Sequence, residues 1–231
     1  MDLIKASGEL IKNGIKLDLP YITFEGILVE KKHSQVLEEY ILRVKNKIEN
    51  EYTLETLKNN ETIRLFRDFY WHYLTIDPTK TRPSAEALIR RILAKNPIPQ
   101  VNNIVDLNNW VSIETLIPLG AYDLDFLKTP LILRFAKPGE VFVPIGSSKK
   151  VLNGKEIIIA DQTGLIIHQY PHRDSDVCKI INQTRNMLVT ACGVPGLNRQ
   201  KLLDALTVFR NILGNLCEKE LKYSKIIILS I

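Results

Sequence analysis

The sequence lacks most of the signals that would announce a cofactor or a compartment. Its three cysteines, Cys178, Cys192 and Cys217, include no CxxC pair. An odd, scattered set excludes a disulfide scaffold and suits a reducing cytosol, where thiols act as small core residues. No metal site is expected from them. The glycines are isolated, so neither dinucleotide-binding nor P-loop phosphate cradling is expected, and the GxSxG elbow and HExxH are absent too. Apolar stretches such as Ile226–Ile231 are far shorter than the roughly 20 residues that span a bilayer. Met1–Leu10 carries Asp2, Lys5 and Glu9 and no apolar core. A soluble, cytoplasmic protein without a secretory leader is therefore expected. Charge of one sign is in small excess: 31 Lys and Arg against 26 Asp and Glu, a net of +5. The basic residues form only pairs, Lys31-Lys32, Arg90-Arg91 and Lys149-Lys150. Such a balance permits contact with a polyanion without requiring it.

What remains is ordinary globular material, 45% hydrophobic and 25% charged over 231 residues. From about residue 34 to 116 the apolar spacing is helical. Leu37, Ile41, Val44 and Ile48 follow Ser34, an expected N-cap. Ile63, Phe66, Tyr70 and Leu74 mark a second helix, its face thickened by Phe69, Trp71 and Tyr73. Ala85, Leu88, Ile89 and Ile92 mark a third, opened by Thr81-Arg82-Pro83-Ser84, and a fourth is predicted from Val101 to about Val111. Strands are predicted at 21–30, 131–136, 141–143, 156–160, 165–168, 187–192 and 225–231. A late helix carries Leu202, Leu206, Phe209 and Leu213 and is closed by Gly214. Strands on both sides of segregated helices imply an α+β fold with mixed or antiparallel sheets.

The polar residues are informative at several points. Asn102, Asp106 and Asn109 share one face of the fourth helix, where Asn and Asp are poor helix formers. They either cap and lock the local chain or line a groove. In Pro118–Asp125, Gly120 allows a tight backbone path, and Asp123 and Asp125 are expected to cap or turn. His168, His172 and Asp174 lie close together without a ligand spacing, so no metal is expected there. His33 is expected at the surface and His72 on a helix face. Arg173 and Asp174 are expected to form an ion pair. Thr184, Asn186 and Thr190 share a face if their strand runs straight.

Taken in order, these stretches resemble the B3/4 editing domain of the phenylalanyl-tRNA synthetase beta subunit. Asn103-Ile104-Val105-Asp106-Leu107-Asn108-Asn109-Trp110 is similar to that family's N-x-V-D-x-x-N-Y, and Pro118-Leu119-Gly120-Ala121-Tyr122-Asp123-Leu124-Asp125 to its P-L-H-A-F-D-x-D. Leu133 to Glu140 is similar to V-R-x-A-x-x-G-E. Leu152-Asn153-Gly154, Ile159-Ala160-Asp161 and Thr184-Arg185-Asn186 are similar to L-D-G, I-A-D and T-x-N. The segment from Arg67 to Ser84 looks like the stand-alone version of the domain. Departures are equally specific: Gly120 stands where the family has a histidine, Thr190 falls at its glutamate, and Pro171-His172-Arg173 replaces a glycine pair.

The resemblance implies a three-layer β/β/α domain over residues 1–231. Its best-matching core is 84–192, preceded by a strand and helices over 1–83 and followed by a helix and strand over 193–231. It implies a pocket that binds or hydrolyses a mischarged aminoacyl-tRNA in trans, without DNA sequence readout, membrane or cofactor. Asn109, Tyr122, Asp123, Ser175, Thr184, Asn186 and Thr190 are its candidate lining. Asp174 is the candidate for orienting water and Arg173 for holding a carbonyl or phosphate. Arg82, Arg90, Arg91, Lys149 and Lys150 are candidate RNA contacts. The alternative is a non-catalytic domain on the same fold that binds an amino acid, a metabolite or a protein.

Overall fold

A computed structural model describes residues 2–217 and 221–231. Strand β1 (Ile4–Ala6) and the short helix α1 (Gly8–Lys12) lead to β2 (Asp18–Glu25). Helices α2 (Gln35–Glu51), α3 (Glu61–His72), α4 (Ser84–Leu93) and α5 (Asn103–Thr115) follow. Then come β3 (Leu119–Asp123), β4 (Leu131–Phe135), β5 (Val141–Phe142), β6 (Lys150–Val151), β7 (Ile157–Ala160), β8 (Ile166–Gln169), β9 (Arg173–Asp174) and β10 (Asn186–Ala191). Helix α6 (Arg199–Leu216) and strands β11 (Lys222–Tyr223) and β12 (Ile227–Ser230) close the chain.

The helices start where side chains can satisfy their free N–H groups. Ser34, Asn60, Asn102 and Asn198 each accept hydrogen bonds from the first turn of the following helix, a contribution of about 1 kcal/mol apiece. Asn102 is thus the cap of α5 and not its second residue. The helix begins later than the apolar spacing suggests and runs on to Thr115.

One sheet has the order β11-β2-β10-β3, all antiparallel, with β12 pairing along the rest of β2. Every residue of β10 after Asn186 is buried, so both faces of this sheet are covered. Helix α6 packs on one face through Leu202, Leu206, Phe209 and Leu213, with α5 behind it. A second sheet, β1-β4-β7-β8-β9, covers the other face; β1 runs parallel to β4 and the remaining pairs are antiparallel. The result is sheet on sheet on helices, a β/β/α arrangement. Helix α5 is packed by α2, α4, α6 and β3 and is accordingly buried around most of its circumference. One contiguous apolar core joins the layers, and a smaller cluster lies around Phe142 and Leu152 of the β5–β6 hairpin.

Several expectations are corrected. Strand β2 ends at Glu25, because Gly26 takes a positive φ of 74° and turns the chain. The buried face of α3 is Ile63, Phe66, Phe69 and Tyr70, while Trp71 and Tyr73 are exposed. Gly214 does not close α6, which continues to Leu216. His33 is not a surface residue: its ring is 6% exposed and its Nε2 lies 2.7 Å from Asp106. Strand β3 precedes the expected turn, and Asp123 caps that turn by accepting from the Asp125 N–H.

Candidate functional site

The site grows from β8 and β9. A turn over 169–172, closed by the His172 N–H donating to the Gln169 carbonyl, reverses one strand into the other. The register sets Asp174 opposite His168 and Arg173 opposite Gln169. Because successive strand residues point to opposite faces, Arg173 and Asp174 do not form the expected ion pair. Asp174 Oδ1 lies 2.8 Å from His168 Nδ1, while Arg173 reaches Ser147.

His168 stands between the two sheets. Its Nε2 lies 3.7 Å from the Cys192 Sγ at the end of β10, and the rings of Tyr122 and Tyr170 meet it edge to face at 6.0 and 5.8 Å. Carboxylate, imidazole and thiol thus form a line through the layers. Burial, reinforced by Asp174, pushes the Cys192 thiol well up, so it is a protonated S–H and not a thiolate nucleophile. Burial likewise pushes the Tyr122 hydroxyl up, with Asp174 adding to the effect. The buried hydroxyls of Tyr122 and Thr190 lie close to one another and to the Asp174 carboxylate, yet neither makes a hydrogen bond of regular geometry among the described residues. Among the described residues no group of His, Cys, Asp and Glu is arranged to hold a metal ion.

Gly120 explains the composition of this cluster. A β-carbon at position 120 would overlap the Tyr122 hydroxyl. A histidine at 120 and the tyrosine hydroxyl in its present place exclude one another. Thr190 pairs with Gly120 across β10 and β3.

Above this buried cluster lies a narrow cleft of about 90 Å³. Helices α4 and α5 form one wall through Ser84, Asn108, Asn109 and Ser112; the β8–β9 hairpin forms the other through His168, His172, Arg173 and Asp174. Asn108 is fixed by donating to the Leu119 carbonyl at 3.1 Å, and its Oδ1 is buried without a partner among the described residues. Ser112 ties α5 to β3 by accepting from the Leu119 N–H. Ser84, His172 and Arg173 also line an adjacent open trough of about 560 Å³. Lys80, Arg82, Arg90, Arg91 and Arg173 line that trough, and no carboxylate does. Arg90 is oriented by the buried Glu86, 2.8 Å from its Nε, and Arg91 by the Pro97 carbonyl. His172 sits at the junction of the two spaces. Burial, then the charges of Arg173, Lys150 and His168, lower its pKa from 6.5 to about 4.

The candidate residues divide. Asn109, Arg173 and Asp174 share the cleft, and Arg82, Arg90 and Arg91 share the trough. Tyr122 and Thr190 lie in the buried cluster. Ser175 is buried in backbone pairing. Asp123, Thr184 and Asn186 do not reach the cleft: Thr184 donates to Asp123, and Asn186 donates to Asp125 at 2.7 Å. They occupy the far end of β3 and β10, three residues or about 10 Å from Gly120. Lys149 and Lys150 are exposed and line no part of the trough. In the Asn102-Asp106-Asn109 stripe, Asn102 and Asp106 lock local structure and only Asn109 faces the cleft. Asn108 and Ser112 were not singled out in the sequence, where they look like neutral helix positions. Lys80 likewise carried no signal beyond its charge.

Comparison with known proteins points the same way. The B3/4 domain profile matches residues 65–207. The phenylalanine–tRNA ligase beta subunit of Solibacter usitatus is 37% identical over 94 residues, 40% of this chain and 12% of that protein. The same subunit from Fusobacterium nucleatum is 31% identical over 140 residues, 58% of this chain and 16% of that protein. The matched part is thus a small fraction of these relatives. An N-terminal fragment of the phenylalanyl-tRNA synthetase beta-subunit from Pyrococcus horikoshii shares the fold, with a TM-score of 0.50 at 13% identity, covering 91% of this chain and 48% of that one.

Proposed function

This chain belongs to the B3/4 domain family, and from that premise we propose that it binds the aminoacylated 3′ end of a tRNA and hydrolyses the ester in trans. The observation that carries the reading is that cleft and trough adjoin and share Ser84, His172 and Arg173 in their walls. A polar cleft with a carboxylate lies beside a trough lined by five cations and, among the described residues, no anion. The acyl group enters the cleft, the ribose ester lies at the junction and the phosphates follow the trough, where Lys and Arg contacts supply affinity.

An aminoacyl ester is already activated, so fixing water and ester together suffices. Asp174 has one oxygen committed to His168; the other orients water and accepts its proton as the oxygen attacks the carbonyl carbon. The proton returns to the departing ribose oxygen. Arg173 holds a phosphate or the carbonyl. Asn108 Oδ1 receives the substrate's α-ammonium group, which satisfies a buried acceptor.

Size sets the selectivity. The cleft holds about 90 Å³, less than a closed cavity of about 150 Å³ that accommodates benzene. With Gly120 and Thr190 where the family has a histidine and a glutamate, the acyl group accepted is a small one. The test is single-turnover deacylation of a panel of aminoacyl-tRNAs. Esters of small amino acids are expected to be hydrolysed and tyrosyl esters spared. Asp174→Asn is expected to slow the reaction by roughly 10²–10⁴-fold. Cys192→Ala is expected to stay within a few fold of wild type, since a buried thiol takes no part. Hydrolysis at the rate in buffer across the panel would overturn the reading.

A further inference from the structure

The residue at the junction of cleft and trough is His172, and its environment fixes which ring nitrogen carries the proton. His172 Nδ1 lies 3.3 Å from the hydroxyl of Tyr70 on α3. That hydroxyl is fully buried and has no other partner among the described residues. A buried O–H that accepted from the ring would leave its own hydrogen unpaired, at a cost of about 1–3 kcal/mol. Tyr70 therefore donates, Nδ1 accepts, and in the neutral ring the proton resides on Nε2. Nε2 lies across the ring from Tyr70 and makes no hydrogen bond to the described residues.

The structure assigns His172 a role that neither the sequence pattern nor the family membership supplies: we propose that its Nε2–H donates to the ester carbonyl oxygen and to the oxyanion that forms there, with Tyr70 as the positioning residue that holds the tautomer. This rests on the ester-hydrolysis reading, because only an ester bridging cleft and trough puts its carbonyl at the junction. The chemistry favours a neutral donor. A donor need not give up its proton to stabilise an oxyanion, and a preorganised N–H costs no reorganisation at the moment of reaction. The groups around His172 act in the same sense. Arg173 on its own hairpin, Lys150 on β6 and His168 on β8 all oppose a positive ring, and Ser84, Arg90 and Arg91 of α4 complete the surrounding wall. Asp174 lines the same cleft but pairs with His168, and among the described residues no carboxylate forms an ion pair with the His172 ring.

The test has two arms on the full chain. In ¹⁵N spectra of the imidazoles, His172 is expected to be the Nε2–H tautomer at pH 7, and Tyr70→Phe is expected to release that preference and raise the pH at which the ring titrates. In single-turnover deacylation, His172→Ala is expected to lose about 10²–10³-fold. His172→Gln, whose amide can still donate, is expected to recover at least ten-fold of that loss. An Nδ1–H tautomer, or a His172→Ala enzyme as fast as wild type, overturns this role while wild-type deacylation leaves the parent reading standing. A wild-type chain that deacylates nothing overturns both.

Discussion

Gly120 and Tyr122 show how tightly single side chains set the character of this site. The β-carbon forbidden at 120 is forbidden by the hydroxyl at 122, so the two positions should be energetically coupled. Gly120→Ala is expected to destabilise the fold by about 1–3 kcal/mol through overpacking. Tyr122→Phe alone should cost little, because its hydroxyl is buried without a partner. The double variant should recover part of the loss, a coupling of roughly 0.5–2 kcal/mol in a denaturant-unfolding cycle; strict additivity would contradict the overlap. His172 gives a pH signature. Its pKa falls from 6.5 in the unfolded chain to about 4 in the fold. Above pH 6.5 both states are neutral and the full stability is present; as pH falls from 6.5 toward 4 the unfolded chain takes up a proton that the folded ring refuses, and stability is lost. At about 1.36 kcal/mol per unit the loss approaches 3 kcal/mol. His172→Gln should remove that share of the acid sensitivity in unfolding curves between pH 7 and pH 4, and an unchanged slope would show that the ring titrates normally.

At the scale of elements, α3 and α4 are joined by one buried carboxylate. Glu86 is fully buried and lies 3.1 Å from Arg67 of α3 and 2.8 Å from Arg90 one turn along α4. Glu86→Ala leaves two partly covered guanidinium groups without their anion, and is expected to cost about 2–4 kcal/mol and to loosen Arg90 in the trough. Denaturant midpoints with Glu86→Gln as the milder control measure it; equal stability of Glu86→Ala and wild type would mean that the carboxylate is not holding the helices. The helices were legible in the sequence because their signals are local: Ser34 and the 3.6-residue spacing after it define α2 without reference to anything distant. Strand β3 was not, because Gly120 and Asp123 are poor strand formers; tertiary contacts, including the close approach of Tyr122, override that preference. Trp71 looked like core because spacing alone does not say where a stripe ends.

At the scale of the molecule, the family and the layered fold were legible in ordered motifs, while the site was legible only in part. Arg173 and Asp174 stood out as polar residues between apolar strands, and the Arg90-Arg91 pair as charge. That Ser84, Asn108 and His172 meet around one space depends on α4, α5 and the β8–β9 hairpin converging from distant parts of the chain, which no local pattern records. Asn186, a candidate for the pocket lining, lies at the far end of β10, bonded to Asp125. The single-site view of cleft and trough is tested most directly by comparing two affinities across a salt titration. One ligand is uncharged tRNA; the other is the same tRNA carrying a small amino acid through a non-hydrolysable 3′-amide. Both affinities should fall linearly with log salt, and Arg82→Ala and Arg91→Ala should each lower the slope by about 1 for both ligands. The amide-linked tRNA should bind more tightly, and Asp174→Asn should change only that margin. Equal affinities for the two ligands, or binding indifferent to salt, would contradict it.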